Sequence, residues 1–131
     1  MQEWINNKIM TAEKNEFATQ FKNRTKKFAV EIISYYRTLP KTEESRIVGK
    51  QLLRSATSVA ANYRAVCRAR SKAEFFSKLS ITVEEADESL LWLEIISESQ
   101  ISSDIETKTL MKEAEEILAV LSKARKTTSE K

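Results

Sequence analysis

The sequence of 131 residues contains no histidine, one cysteine, one glycine and one proline. Without histidine, the chain lacks the most common general base and the most common metal ligand of proteins. The single cysteine, Cys67, excludes an intrachain disulfide and a zinc site built from cysteines. One glycine, Gly49, excludes glycine-rich phosphate loops and the nucleophile elbow of hydrolases. Strand-rich folds need many turn residues, so this composition indicates an all-α chain of few, long helices.

Long apolar runs are also missing, because no run approaches the roughly 18 residues of a membrane span. The first ten residues, MQEWINNKIM, lack the basic and apolar regions of a secretory signal. We therefore expect a cytoplasmic protein without membrane contacts. No catalytic constellation is found in the sequence, and we expect a non-enzymatic protein without a cofactor.

Two Glu-x-x-Glu pairs, Glu85 with Glu88 and Glu113 with Glu116, require a separate test as metal ligands. Di-iron bundles combine such carboxylates with histidine ligands, which this chain does not have. We expect no metal site. The interpretation favoured instead is that both pairs belong to an acidic face that interacts with Lys and Arg.

Apolar residues at helical spacing predict four helices, at about residues 15–39, 43–69, 72–99 and 104–126. Pro40 ends the first helix, and Thr42 is the predicted N-cap of the second. Ser-x-x-Glu capping boxes at residues 71–74 and 103–106 open the third and fourth. The apolar stripe of the first helix consists of Phe17, Phe21, Phe28, Ile32, Tyr35 and Leu39.

Helices of similar length with short connections predict one antiparallel, up-down-up-down four-helix bundle over residues 15–126. Residues 127–131 are expected to form a polar tail. Residues 1–14 are expected to form an N-terminal arm or short helix, which could dock on a partner subunit. The apolar residues of that segment are Trp4, Ile5, Ile9 and Met10.

The net charge of +3 conceals a strong asymmetry along the chain. Residues 22–72 carry 13 Lys and Arg against 3 Asp and Glu, whereas residues 73–122 carry 3 against 12. Five cations of the second helix fall within an arc of about 80° at 100° per residue, and we call this row the basic stripe. Like charges at i, i+4 repel each other, so the row indicates an anionic partner, a solvated face, or pairing with the acidic third helix. The basic stripe consists of Arg46, Lys50, Arg54, Arg64 and Arg68.

The basic stripe predicts sequence-independent binding of nucleic acid, RNA or DNA, through phosphate contacts. The alternative is a protein-interaction or scaffolding module, in which the stripe meets the acidic third helix of a neighbouring subunit. The predicted nucleic-acid-binding residues are Arg46, Lys50, Arg54, Arg64, Arg68, Arg70 and Lys72.

The third helix has a second apolar face, which one small bundle cannot cover. Either the N-terminal arm or a neighbouring subunit covers it, and we predict a homo-oligomer. The simpler alternative is a tryptophan half buried at a corner of the bundle. The predicted interface residues are Ile81, Leu91, Trp92, Ile95 and Ile96.

Three segments resemble a family of bacterial four-helix-bundle proteins encoded by intervening sequences in large-subunit ribosomal RNA genes. They are RTLPK at 37–41, QLLRSATSVAAN at 51–62 and KAEF at 72–75. The most specific feature is the spacing of Gln51, Arg54, Ser58 and Asn62, and the resemblance covers residues 21–121. The sequence departs from the family's pattern at residues 63–66, where YRAV stands in place of an Ile-Ala-Glu-Gly stretch.

This family also includes the accessory variability protein of diversity-generating retroelements. The resemblance implies a bundle that assembles into a ring, commonly a pentamer, with a basic surface and no enzymatic activity. By similarity to the retroelement members, it implies RNA or DNA and a reverse transcriptase as partners.

Overall fold

The computed structural model describes the backbone of residues 2–129 and the side chains of residues 14–129. This part of the chain contains four helices and no strand: α1 (Gln2–Thr38), α2 (Glu43–Cys67), α3 (Lys72–Glu98) and α4 (Ile105–Ser129). Each helix packs on the next along the chain, and α4 returns to α1. The predicted antiparallel four-helix bundle is confirmed.

The first and last helices are longer than the sequence predicted. α1 begins at Gln2 instead of near residue 15, since no proline or glycine interrupts residues 2–38. The segment 2–14 is therefore continuous with α1. The docking expected of Trp4, Ile5, Ile9 and Met10 lies outside the described side chains. α4 includes residues 127–129 of the expected tail, and residues 130–131 lie outside the described chain.

The N-caps of α2 and α3 are those that the sequence predicted. The Thr42 hydroxyl accepts a hydrogen bond from the backbone N–H of Ser45 at 3.4 Å. The Ser71 hydroxyl accepts one from the backbone N–H of Glu74 at 3.0 Å. Each cap provides a partner for an N–H that has none within its helix, a contribution typically worth about 1 kcal/mol.

The cap of α4 is Asp104 and not the predicted Ser103. Since α4 begins at Ile105, the residue in cap position is Asp104, and its Oδ1 accepts from the backbone N–H of Thr107 at 2.9 Å. This bond lowers the pKa of Asp104. The Thr107 hydroxyl also donates to Oδ1, so the buried Tyr35 hydroxyl, 2.5 Å from Thr107 Oγ1, must act as the donor of that pair.

A single apolar core runs through the bundle, and all four helices contribute fully buried side chains to it. Phe17, a member of the predicted apolar stripe of the first helix, lies outside the core. It is half exposed and stacks on Phe21 with ring centroids 5.8 Å apart, and Cys67 is exposed at the end of α2. The largest core side chains are Ile32, Tyr35, Leu52, Val59, Leu79, Leu93, Ile96, Ile117 and Leu121.

α1 and α2 approach each other closely where Tyr36 packs against Gly49. A Cβ added to Gly49 would lie 2.8 Å from Cδ1 and Cε1 of Tyr36. The absence of a side chain at this position therefore makes room for the tyrosine ring.

Over their described residues, none of the four helices combines the length and the apolarity needed to cross a membrane.

Candidate nucleic-acid interface

The basic stripe lies along the outer edge of α2. Arg46, Lys50 and Arg64 are exposed on the helix, and Arg68 is its exposed C-cap residue. No carboxylate oxygen of the described side chains lies within 4.0 Å of these four cationic groups. They are therefore available to an anionic partner.

The remaining stripe residue, Arg54, is held by two carboxylates of α3. Its guanidinium donates to Oε1 of Glu88 through a short hydrogen bond and lies 3.4 Å from Oε2 of Glu85. The bond from Arg54 is the main reason that the pKa of Glu88 lies below its ordinary value. Nearby, the buried hydroxyl oxygens of Ser55 and Ser89 lie 3.0 Å apart and form a second polar contact between α2 and α3.

For Arg54, the alternative of pairing with the acidic third helix is the one that the structure shows. Arg54 lies at the edge of the stripe's arc that faces α3, so its charge is neutralised within the subunit. The stripe is thereby divided into two free pairs at i, i+4 spacing, Arg46 with Lys50 and Arg64 with Arg68. The other two predicted binding residues, Arg70 and Lys72, are exposed at the α2–α3 connection and at the start of α3.

The second Glu-x-x-Glu pair also holds an arginine. Arg24 of α1 donates from Nε to Oε2 of Glu113 at 2.9 Å and from Nη2 to Oε1 at 2.7 Å, and its guanidinium lies 3.6 Å from Glu116. Both acidic pairs thus connect neighbouring helices. Among the side chains that the structure describes, no group of three or more possible ligands is placed to hold a metal ion.

A groove of about 430 Å³ between α1 and α2 contains cations that the sequence analysis did not single out. Lys22 and Lys26 of α1 line one side, and Arg64 of α2 lines the other. The only sequence signal for the two lysines is the general excess of positive charge in residues 22–72. Their position beside the basic stripe depends on the packing of α1 on α2.

The predicted oligomer interface is only partly at the surface. Ile81 and Leu91 are 40% and 47% exposed, and Trp92 and Ile95 are partly buried. Ile96 was wrongly assigned, because it is fully buried in the core. Adjacent helical residues differ by about 100° in direction, so Ile96 faces inward while Ile95 lies at the edge.

Another apolar residue that the sequence analysis missed is Ile47, which is 58% exposed. It precedes Arg54 by seven residues, or about two helical turns, and so lies on the same edge of α2, next to α3.

Comparisons with known proteins identify similar sequences and folds. The family model described as 23S rRNA-intervening sequence protein matches residues 18–123. Among solved structures, the chain is similar to a crystal structure of a protein with unknown function from the S23 ribosomal protein family of Bacteroides thetaiotaomicron. The two are 31% identical with a TM-score of 0.76, and the match covers 83% of this chain and 97% of that chain. No curated protein matches the chain.

Proposed function

Because this chain belongs to the 23S rRNA-intervening sequence protein family, we propose that it is a non-enzymatic protein that binds nucleic acid, in particular RNA, through the basic stripe. The observation that supports this proposal is the set of four stripe cations without a carboxylate neighbour among the described residues. Arg54 does not take part, since binding a phosphate would require it to leave Glu85 and Glu88.

The arrangement of the four free cations suits contacts with phosphates and not sequence-specific contacts with bases. From Arg46 to Arg64, α2 rises about 27 Å, so the two free pairs can reach phosphates along an extended stretch of backbone. Each neutralised phosphate releases counterions, and log affinity falls with log salt by about 0.9 per contact on a duplex. Four contacts predict a slope of roughly −3 to −4.

Fluorescence anisotropy with a labelled RNA hairpin, measured between about 50 and 200 mM salt, tests the proposal. We expect Arg46→Gln with Lys50→Gln, and separately Arg64→Gln with Arg68→Gln, each to weaken binding by about tenfold or more. Each should also make the salt slope shallower by about 1.8. The matched control is Lys108→Gln with Lys112→Gln on α4, which removes the same charge at the same spacing and should change affinity less than about twofold. Equal losses in the control, or no binding by the unmodified protein, would reject the proposal.

We further propose that the protein works as a homo-oligomer, with the five-membered ring that the resemblance implies. The supporting observation is the exposure of apolar side chains on α2 and α3, where Ile47, Ile81 and Leu91 are all at least 40% exposed. Native mass spectrometry should give a mass of several subunits. Leu91→Glu should lower that mass, whereas Ile105→Glu, at a residue 83% exposed on α4, should leave it unchanged.

The second candidate function is a protein-interaction or scaffolding module. The exposed apolar side chains of α2 and α3 favour it, and the stripe variants distinguish the two functions. If either variant collapses to monomer mass while RNA binding per subunit persists, the stripe is an assembly surface. The reverse transcriptase implied by the resemblance is a proposed partner under either function, and co-elution with the purified enzyme in size-exclusion chromatography tests it.

A further inference from the structure

The groove between α1 and α2 shares Arg64 with the basic stripe and adds Lys22 and Lys26 of α1 on its other side. We infer that this groove holds one sugar-phosphate strand of a double-stranded nucleic acid, an inference that rests on the proposed function. The groove has cations on both sides, small residues between them, and no Asp or Glu among the residues that line it. Its lining consists of Lys22, Asn23, Lys26, Ala29, Thr57, Ala60, Ala61 and Arg64.

The positions of the cations favour a phosphate backbone as the ligand. Lys22 and Lys26 are four residues apart on α1, so their attachment points are separated by about 6 Å of helix rise. Arg64 stands across the groove on α2, and packed helices are separated by about 8–10 Å, which side chains of this length bridge from both sides. No carboxylate oxygen of a described residue lies within 4.0 Å of these three cationic groups.

Small side chains allow the ligand to enter between the helices. Ala60 and Ala61 of α2 and Ala29 of α1 line the groove without filling it. Larger residues at these positions would occupy the space of about 430 Å³. The groove therefore has room for a phosphodiester chain and can contact it from both sides. The outer face of a single helix would contact the chain from one side only.

The absence of aromatic residues from the groove lining favours a duplex over a single strand. Proteins that bind single strands without sequence preference gain about 1–3 kcal/mol per base from stacking on aromatic side chains. None of the groove residues is aromatic, and Tyr63, the one aromatic residue between Arg46 and Lys72, is only 7% exposed. A duplex holds its phosphates on the outside, so fixed cations can bind it by electrostatic contacts alone.

Two RNA probes test the inference. One is a duplex of about 20 nucleotides per strand, and the other is one of its strands, chosen to lack internal pairing. Their affinities are measured by anisotropy at low salt for the unmodified protein and for Lys22→Gln with Lys26→Gln. The control is Lys108→Gln with Lys112→Gln, which has the same spacing and the same charge change. We expect the duplex to bind at least about tenfold more tightly than the single strand.

The groove variant should weaken duplex binding about tenfold and reduce the salt slope by about 1.8, while the control changes duplex affinity less than about twofold. Thermal unfolding checks that both variants fold like the unmodified protein. If the single strand binds as tightly as the duplex, or if the groove variant behaves like the control, the inference is overturned while the proposed function stands. If the unmodified protein binds neither RNA, the proposed function fails as well.

Discussion

Replacing Gly49 by alanine sets helix propensity against packing, and the structure predicts which effect is larger. Alanine is favoured over glycine inside a helix by about 1 kcal/mol. However, the new Cβ would lie 2.8 Å from two ring carbons of Tyr36 and 3.3 Å from Cδ1 of Leu39. Carbon atoms in contact prefer about 3.5–4.0 Å, so the ring would have to move by roughly 1 Å. Overpacking of this kind costs about 1–3 kcal/mol, and we expect a net destabilisation of about 1 kcal/mol.

The same substitution should have the opposite effect once the ring is removed. In a Tyr36→Ala background, the closest remaining atom is Cδ1 of Leu39, at 3.3 Å. Gly49→Ala should then stabilise the protein by up to about 1 kcal/mol, because the gain in helix propensity is no longer opposed. The two substitutions should therefore be coupled by about 1–3 kcal/mol.

Urea unfolding of the four proteins, followed by circular dichroism at one fixed protein concentration, measures these free energies. The unmodified protein and the Tyr36→Ala variant serve as the two references. If Gly49→Ala stabilises both backgrounds by the same amount, the close approach of α1 to α2 at this point does not limit the residue, and the reasoning is wrong.

Three further predictions concern stability and are measured by urea unfolding. Tyr35→Phe removes the buried hydroxyl that donates to Thr107 and should cost about 1 kcal/mol, and no loss would contradict the hydrogen bond. Leu93→Ala opens a cavity at a fully buried position and should cost about 3 kcal/mol, whereas a cost below about 1 kcal/mol would contradict its burial. Arg54 lowers the pKa of Glu88. Their ion pair therefore stabilises the fold at pH values above the ordinary glutamate pKa of about 4.3. This contribution is lost as the pH falls and Glu88 is protonated. Arg54→Met should therefore destabilise the protein by up to about 1 kcal/mol at pH 7 and by less near pH 3, and a deficit independent of pH would contradict the pairing.

The free or paired state of each cation could not be obtained from sequence patterns. Arg54 shares an arc with four other cations, yet the packing of α2 on α3 places it beside Glu85 and Glu88, more than 30 residues along the chain. The lysines at 22 and 26 show the opposite case, because they have no special pattern and still line a groove with Arg64. Both outcomes depend on how the helices are rotated against each other.

Local interactions explain why the starts of α2 and α3 were predicted well. The caps at Thr42 and Ser71 bond to an N–H three residues later, so the whole signal lies in four consecutive residues. Ser103 and Asp104 are both good caps, and the sequence could not decide between adjacent candidates. The start of α1 was misplaced because no residue before Asn15 carries a start signal strong enough to identify Gln2 as the first helical residue.

The sequence by itself determined the number of helices, their order and the antiparallel bundle, because apolar spacing, capping residues and short connections act over a few residues. The tertiary structure alone decided which charges remain free and which apolar residues reach the surface. A rotation of about 100° separates Ile96 in the core from Ile95 at the edge, and only the packing of the neighbouring helices sets that rotation. The division of the basic stripe at Arg54 and the groove beside it have the same physical origin.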